Sequence, residues 1–206
     1  MLRILGRLSS INVQKVVWIA RELSQPFERI DVGGQYGGNR EPDYLAKNPN
    51  GQVPVLEDGA VCIWESNAIV RYLAAQYGRG VLWDKDPARR SEDDRWMDWA
   101  LGELQPVMVP AFWGLMREPA TADPAAIARS IAQTEKKLDI LEAHLAQGRP
   151  YLSGDRFGLA EITLGPSVHR WLNMPVQRAV RPALQSWYER ISQRDAASSA
   201  LPLPIV

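Results

Sequence analysis

Polar side chains that can bind an anion follow the first apolar segment of this 206-residue chain. Ser9, Ser10 and Asn12 come just before a stretch with helical periodicity. A hydroxyl or amide can donate a hydrogen bond to a bound anion, and such a donor favours the charged form of the ligand. The structural alternative is that Ser9 and Ser10 only cap the helix, because short polar side chains satisfy the free N–H groups at a helix start. The residues alone leave open which of the three would contact a ligand.

A second site for negative charge is indicated at the start of another predicted helix, where Glu65 precedes Ser66. Unpaired N–H groups and the helix dipole attract an anion at a helix N-terminus. The Ser66 hydroxyl could donate to such an anion, and the Glu65 carboxylate could accept from a donor on the same ligand. The alternative is an ordinary N-cap with an acidic first turn, which needs no ligand.

The cysteine and histidine counts exclude several kinds of site. Cys62 is the one cysteine, so the chain has no internal disulfide, no Cys-rich zinc site and no Cys-x-x-C redox pair. Because Cys62 lies in an apolar strand segment, we expect an inert thiol in the core. The two histidines, His144 and His169, fall on predicted helices and are expected to have packing or surface roles. We therefore predict no metal site.

Charge and hydropathy exclude two classes of partner. Lys plus Arg number 24 and Asp plus Glu number 24, so no basic surface is expected to attract nucleic acid. The first ten residues, MLRILGRLSS, lack the apolar stretch of a signal peptide, and no uncharged apolar run approaches the length of a membrane span. We expect a cytoplasmic protein that binds neither nucleic acid nor membrane.

The elements that must position these residues follow from apolar periodicity in the first 78 residues. A strand, a helix and a second strand imply parallel pairing through a right-handed crossover. Further along, Asp58-Gly59 separates two apolar runs and is typical of a two-residue hairpin. The order β-α-β-α-β-β-α predicts a thioredoxin-like α/β domain. Its first segments are strands over 2–5 and 27–32 and helices over 13–24 and 42–47.

The second part of the chain, residues 89–206, is predicted to form an all-α helical bundle domain after a Gly- and Pro-bearing linker over 79–88. Pro106 and Pro110 are expected to kink a helix over 89–116. The C-terminal AASSALPLPIV is predicted to be an extended tail.

Three apolar side chains beyond Pro110 are candidates for an apolar substrate site. The kink is expected to aim Phe112, Trp113 and Met116 at a cleft between the two domains. Packing within the helical core is the alternative, since apolar residues at helical spacing are usually core.

Four sequence stretches resemble the cytosolic glutathione transferases, and together they cover nearly the whole chain. They are LSSINVQKV, NPNGQVPVLED, WESNAIVRYLA and YLSGDRFGLAEITLG. The first contains the S-x-N-x-x-[KR] pattern of phi-like, serine-type members, with Ser10 at the position of the family's serine. The fourth departs from the family, since Gly158 and Glu161 replace the usual Ser or Thr and Asp. Folding should tolerate this, because a Gly cap costs only a few tenths of a kcal/mol and Glu can still reach back to the cap.

The resemblance implies that glutathione binds to the first domain. Ser10 would donate to its thiolate, with Asn12 as a second donor and Ser9 as a neighbour able to compensate. A cis Val53-Pro54 bond would present the Val53 backbone to the cysteinyl unit like an added strand. An edge-strand proline without a ligand role is the alternative. The glutathione-binding residues so implied are Lys47, Gln52, Val53, Pro54, Glu65 and Ser66.

The activity implied by the resemblance is conjugation of the glutathione thiol to small hydrophobic electrophiles by a homodimer, with glutathione as co-substrate and no metal. Two alternatives remain. One is another glutathione-dependent enzyme on this fold, such as an isomerase, dehalogenase or peroxidase. The other is a non-enzymatic protein that binds ligands or partners.

Overall fold

A computed structural model describes residues 1–205, which form two compact units. The first unit comprises residues 1–87 and 194–202. The second comprises residues 88–193 with 203–205. The chain therefore passes from one unit to the other near the predicted linker, but a short C-terminal segment returns to the first unit.

The first unit contains a four-stranded sheet in the order β2-β1-β3-β4. β1 pairs in parallel with β2 and antiparallel with β3, and β3 pairs antiparallel with β4. This is the predicted thioredoxin-like arrangement, which is thereby confirmed. The strands are Leu2–Leu5 (β1), Phe27–Ile30 (β2), Val55–Asp58 (β3) and Val61–Trp64 (β4).

Four helices complete the first unit: Ile11–Glu22 (α1), Pro42–Leu45 (α2), Ser66–Tyr77 (α3) and Asp195–Ala200 (α9). The α1 helix is the central one and packs against both α3 and α9. Its apolar side chains are almost fully enclosed, with Val16, Trp18 and Ile19 each at 0% exposure. The start of α1 is therefore held firmly beside the start of α3.

The C-terminal segment differs from the predicted extended tail of a helical domain. Residues 195–200 form the helix α9, which buries Ala197 and Ala200. The Arg194 guanidinium is paired with the Glu22 carboxylate at the end of α1. Small side chains allow α9 to lie close to α1, which explains why a segment so far along the chain joins the first unit.

The β3–β4 hairpin turns one residue later than predicted. Asp58 pairs with Val61 as the last residue of β3, so the two turn residues are Gly59 and Ala60. Gly59 has φ +60°, a conformation that glycine adopts without steric cost. The Asp58 carboxylate accepts hydrogen bonds from the hydroxyls of Tyr72 and Tyr77 on α3, at 2.8 and 2.6 Å. These bonds connect the hairpin to the helix that follows it.

The second unit is helical, as predicted. A helical stretch from 87 to 117 contains two π-helical turns, at Ala100–Leu104 and Trp113–Arg117. The first of these immediately precedes the segment with Pro106, where a proline cannot supply the regular i→i−4 hydrogen bond. The α-helices are Pro87–Trp99 (α4), Gln105–Phe112 (α5), Pro124–Leu145 (α6), Leu159–Leu172 (α7) and Pro182–Ser192 (α8).

The start of α7 shows how the chain compensates for Gly158. The Asp93 carboxylate, on α4, accepts hydrogen bonds from the Ala160 N–H at 3.0 Å and the Ser153 hydroxyl at 2.7 Å. Asp93 thus caps α7 from a neighbouring helix. A Cβ at position 158 would lie 2.5 Å from the Asp93 Oδ1 atom. A side chain at position 158 would therefore displace the Asp93 carboxylate from the start of α7.

Glu161 secures the same helix start from inside the unit. Its fully buried carboxylate accepts from the N–H groups of Gly158 at 2.9 Å and Leu152 at 2.7 Å, and from the Trp187 indole at 3.3 Å. Burial raises the pKa of Glu161 to about 7, although the two backbone donors act in the opposite direction. Glu161 therefore reaches back to the cap residue, as the sequence predicts.

Candidate functional site

The loop after β1 lies directly against Val53. Gly6 has φ +155°, and a Cβ there would meet the Val13 Cγ2 atom at 2.5 Å and the Val53 Cβ atom at 3.1 Å. Only glycine permits so close an approach. The backbone that leads to Ser9 and Ser10 is therefore fixed beside Val53 and Pro54.

Ser10 occupies the N-cap position of α1, but its hydroxyl does not cap the helix. Its backbone is extended (φ −87°, ψ 123°), and no side-chain cap hydrogen bond is formed. The Ser10 carbonyl accepts from the Gln14 N–H at 2.9 Å, and the Ser10 N–H donates to the Arg7 carbonyl at 3.1 Å. The backbone is thus engaged while the hydroxyl stays available, which weakens the alternative that Ser10 serves only as a cap.

Val53 has an open backbone edge. The Val53-Pro54 peptide bond is cis, as the resemblance implies. Within residues 1–205, neither the N–H nor the C=O of Val53 has a hydrogen-bond partner. A peptide lying alongside could pair with both groups as an added strand does.

The start of α3 is connected to the start of α1 by side-chain hydrogen bonds. The buried Ser66 hydroxyl donates to the Asn12 Oδ1 atom at 3.2 Å and accepts from the Lys15 ammonium at 3.4 Å. The same ammonium donates to the Asn67 Oδ1 atom at 3.3 Å. The Asn12 side chain is thereby connected to Ser66 through its Oδ1 atom, and its amide N–H groups remain available as donors.

Lys15 has no role predicted from the sequence, and the structure shows it to be a member of this network. Its exposure is 0%, and the partners of its ammonium are the neutral side chains Ser66 and Asn67. Burial lowers the pKa of Lys15 to about 7, while the negative charge of Glu65 acts in the opposite direction. A lysine inside the apolar run VQKVVWIA, closing the S-x-N-x-x-[KR] pattern, is the signal that could have found it.

Glu65 is exposed and adopts a backbone conformation uncommon for a residue with a side chain. Its φ is +72° and its ψ is 114°. Such conformations cluster at ligand-binding sites because the surrounding structure must hold them in place. Glu65 is the N-cap residue of α3 and immediately precedes the buried Ser66.

Gln52 and Lys47, the two candidates for a ligand carboxylate, differ in their hydrogen-bond partners. The Gln52 carbonyl accepts from the Tyr44 hydroxyl at 2.7 Å and the Asn48 amide at 2.8 Å, so the backbone before Val53 is rigidly held. Lys47 pairs with the Glu57 carboxylate at 2.6 Å, and this hydrogen bond lowers the pKa of Glu57. A ligand carboxylate would have to compete with Glu57 for Lys47.

The three apolar candidates lie in the second unit and differ in exposure. The Phe112 ring is buried at 4% exposure, and the Arg170 guanidinium lies 3.9 Å from its centroid. Trp113 is 46% exposed, and Met116 is half-buried. Only Trp113 and Met116 therefore offer apolar surface to a second substrate.

The prediction of a buried Cys62 is wrong, because β4 is an edge strand and the cysteine is exposed. Both histidines have packing roles. The His144 ring contacts Trp96, and His169 is hydrogen-bonded to the Tyr188 hydroxyl at 2.7 Å. Residues 1–205 contain no group of three or more His, Cys, Asp or Glu side chains placed to hold a metal ion. No helix in this part of the chain is long and apolar enough to span a membrane.

Comparisons with known proteins agree on one family. Residues 2–75 match the model of the glutathione S-transferase N-terminal domain, and residues 124–190 match that of its C-terminal domain. The chain is 41% identical to "Glutathione S-transferase GstB" of Escherichia coli K12, covering 100% of both proteins. It is 28% identical to "Disulfide-bond oxidoreductase YfcG" of E. coli K12, covering 92% of this chain and 90% of that one. It also superposes on a glutathione-bound theta-class glutathione S-transferase from Xanthomonas axonopodis pv. citri, with a TM-score of 0.96, 45% identity and coverage of 100% and 99%.

Proposed function

Since the chain belongs to the glutathione S-transferase family, we propose that it conjugates the glutathione thiol to small hydrophobic electrophiles. The contacts around the β1–α1 loop carry this proposal. Gly6 brings that loop against the open Val53 backbone, and Asn12 connects it to Ser66. The Ser10 loop, the Val53 backbone and the start of α3 therefore adjoin one another in the first unit.

Glutathione would bind as an extended peptide along these three features. Its cysteinyl unit would pair with the N–H and C=O of Val53, and its γ-glutamyl carboxylate would accept from Ser66 and the α3 N-terminus. Glu65 would accept from the γ-glutamyl ammonium. Gln52 is the better placed of the two candidates for the glycine carboxylate, since Lys47 is already paired with Glu57.

The chemical step needs a thiolate, because a thiol with an ordinary pKa of about 8.5 is mostly protonated at neutral pH. The Ser10 hydroxyl would donate to the sulfur and lower that pKa. The thiolate would attack the electrophilic carbon of the second substrate, forming a carbon–sulfur bond as the leaving group departs with the bonding electron pair. Trp113 and Met116 are the side chains whose exposed apolar surface suits that substrate.

Glutathione-dependent conjugation of an apolar aryl halide is expected to proceed at least about tenfold above the uncatalysed rate. Reduction of a small disulfide by glutathione, measured beside it, is expected to be the slower reaction, because a serine and not a cysteine stands at position 10. Product formation is measured by absorbance and mass spectrometry. Disulfide reduction without conjugation would instead favour an oxidoreductase.

We also infer a cytoplasmic homodimer in which the first unit of one subunit packs against the helical unit of its twin. Exposed apolar side chains on elements of both units support this assembly. They are Val61 and Trp64 on β4, Leu101 in the π-helical turn after α4, and Val109 on α5.

Sedimentation at micromolar concentration is therefore expected to give twice the 23.1 kDa chain mass. Replacing Trp64 with Glu should shift the equilibrium towards monomer, since it places charge on an apolar interface. A matched change at the exposed Val180 should not. Wild-type protein that sediments as a monomer would contradict the proposal.

A further inference from the structure

The α1–α3 junction contains a buried lysine side chain. Lys15 is completely enclosed, and within residues 1–205 its amine has no acidic partner in contact and donates only to the oxygens of Ser66 and Asn67, at 3.4 and 3.3 Å. Neutral oxygens compensate poorly for removing a cation from water, so burial favours the uncharged amine. This agrees with the pKa of Lys15, which burial lowers to about 7.

Negative charge near Lys15 is supplied mainly by one residue. Glu65, at the start of α3, raises the pKa of Lys15 through its charge but does not contact the ammonium. Since Glu65 is exposed, water screens its effect. The other charged side chains on or next to elements packed against α1 are Arg71 on α3, Arg3 on β1, Asp195 on α9, and Arg194 at the N-cap of α9.

Lys15 can take part in ligand binding because its amine contacts the Ser66 hydroxyl. The Ser66 hydroxyl, in the first residue of α3, accepts from the Lys15 ammonium and donates to Asn12. A carboxylate arriving at Ser66 would turn that hydroxyl towards itself and would lie within a few ångströms of the buried amine. Attraction between charges at such a separation is strong where water is excluded.

We propose that Lys15 is a positioning residue that takes up a proton when the γ-glutamyl carboxylate binds. The Lys15 side chain, which contacts Ser66, is then positively charged in the complex. The inference rests on the proposed binding of glutathione and extends it. The incoming carboxylate stabilises the ammonium, and the ammonium holds the Ser66 oxygen as its acceptor while the hydroxyl proton is donated to the ligand. The proton comes from solvent and returns there when the ligand leaves.

S-Methylglutathione tests this, because its sulfur cannot ionise and so releases no proton of its own. Calorimetric titrations at pH 7.5 in two buffers of different ionisation enthalpy give the number of protons exchanged. We expect the wild-type chain to take up roughly half a proton or more, since the amine is largely neutral before binding and charged after it. Affinity should accordingly fall as the pH rises from 6.5 to 8.

Two substitutions separate the charge of Lys15 from its packing. Lys15→Met should abolish proton uptake, remove the pH dependence and weaken binding roughly ten- to a hundredfold. Lys15→Arg, which stays charged throughout, should also abolish uptake yet keep much of the affinity at pH 8. Lys136→Met, at an exposed position of α6, is the matched control and should behave as wild type.

The possible outcomes test the role of Lys15 separately from the proposed binding of glutathione. Wild-type binding without proton uptake, or uptake that persists in Lys15→Met, would overturn the role of Lys15 while leaving glutathione binding intact. Failure of the wild-type chain to bind S-methylglutathione at all would overturn the proposed function itself. If Lys15→Met does not fold, the wild-type titration and Lys15→Arg still give the answer.

Discussion

Replacing Ser10 with alanine is expected to lower the rate of conjugation at pH 7 roughly ten- to thirtyfold, because loss of the hydrogen bond to the bound thiolate returns most of the thiol to its protonated form. The loss arises because the pKa of the bound thiol should rise by roughly 2–3 units, towards its value in free glutathione. Affinity for glutathione should change little, since Ser10 holds the sulfur and not the peptide. The structure supports Ser10 because its hydroxyl makes no N-cap hydrogen bond.

Thiolate absorbance against pH, measured with bound glutathione, checks this prediction, and Ser66→Ala is its reciprocal control. That variant should weaken glutathione binding by about 1–3 kcal/mol, as expected on removing a donor to a charged group. Its thiol pKa should stay near that of wild type. If Ser10→Ala leaves the titration unchanged while Ser9→Ala or Asn12→Ala shifts it upward, the donor is that neighbour.

Replacing Gly158 with serine is expected to destabilise the protein by about 2–4 kcal/mol, although serine is the better N-cap in isolation. The new Cβ would lie 2.5 Å from the Asp93 Oδ1 atom and force that carboxylate away. Its hydrogen bonds with the Ala160 N–H and the Ser153 hydroxyl would then be lost. Chemical denaturation followed by circular dichroism measures the change in the free energy of unfolding.

A double-mutant cycle tests whether Asp93 causes the destabilisation expected for Gly158→Ser. Asp93→Ala alone should also destabilise the protein, because it leaves the first turn of α7 without its cap. In the Asp93→Ala background, Gly158→Ser should instead be stabilising, since the serine hydroxyl can then accept from the Ala160 N–H. Destabilisation by Gly158→Ser of the same size in both backgrounds would show that Asp93 is not the cause.

The sequence by itself determined the thioredoxin-like unit and the helical unit, and it singled out three candidate ligand-binding features. This was possible because each of these depends on local patterns. Apolar periodicity distinguishes strands from helices, and the start of a helix such as α3 is an anion site wherever it is folded. The Ser10 position, the Val53-Pro54 segment and the Glu65-Ser66 helix start could thus be predicted from short stretches of sequence.

Other features were decided only by the tertiary structure, because they depend on which distant segments become neighbours. Lys15 meets Ser66 across 51 positions of the chain, and Asp93 caps Ala160 across 67. The exposure of Cys62 follows from the edge position of β4 in the sheet. The helix α9 packs against α1, where Ala197 and Ala200 are buried. The protonation of Lys15 and the space available at Gly158 depend on side chains from distant parts of the sequence. A local sequence pattern therefore cannot predict them.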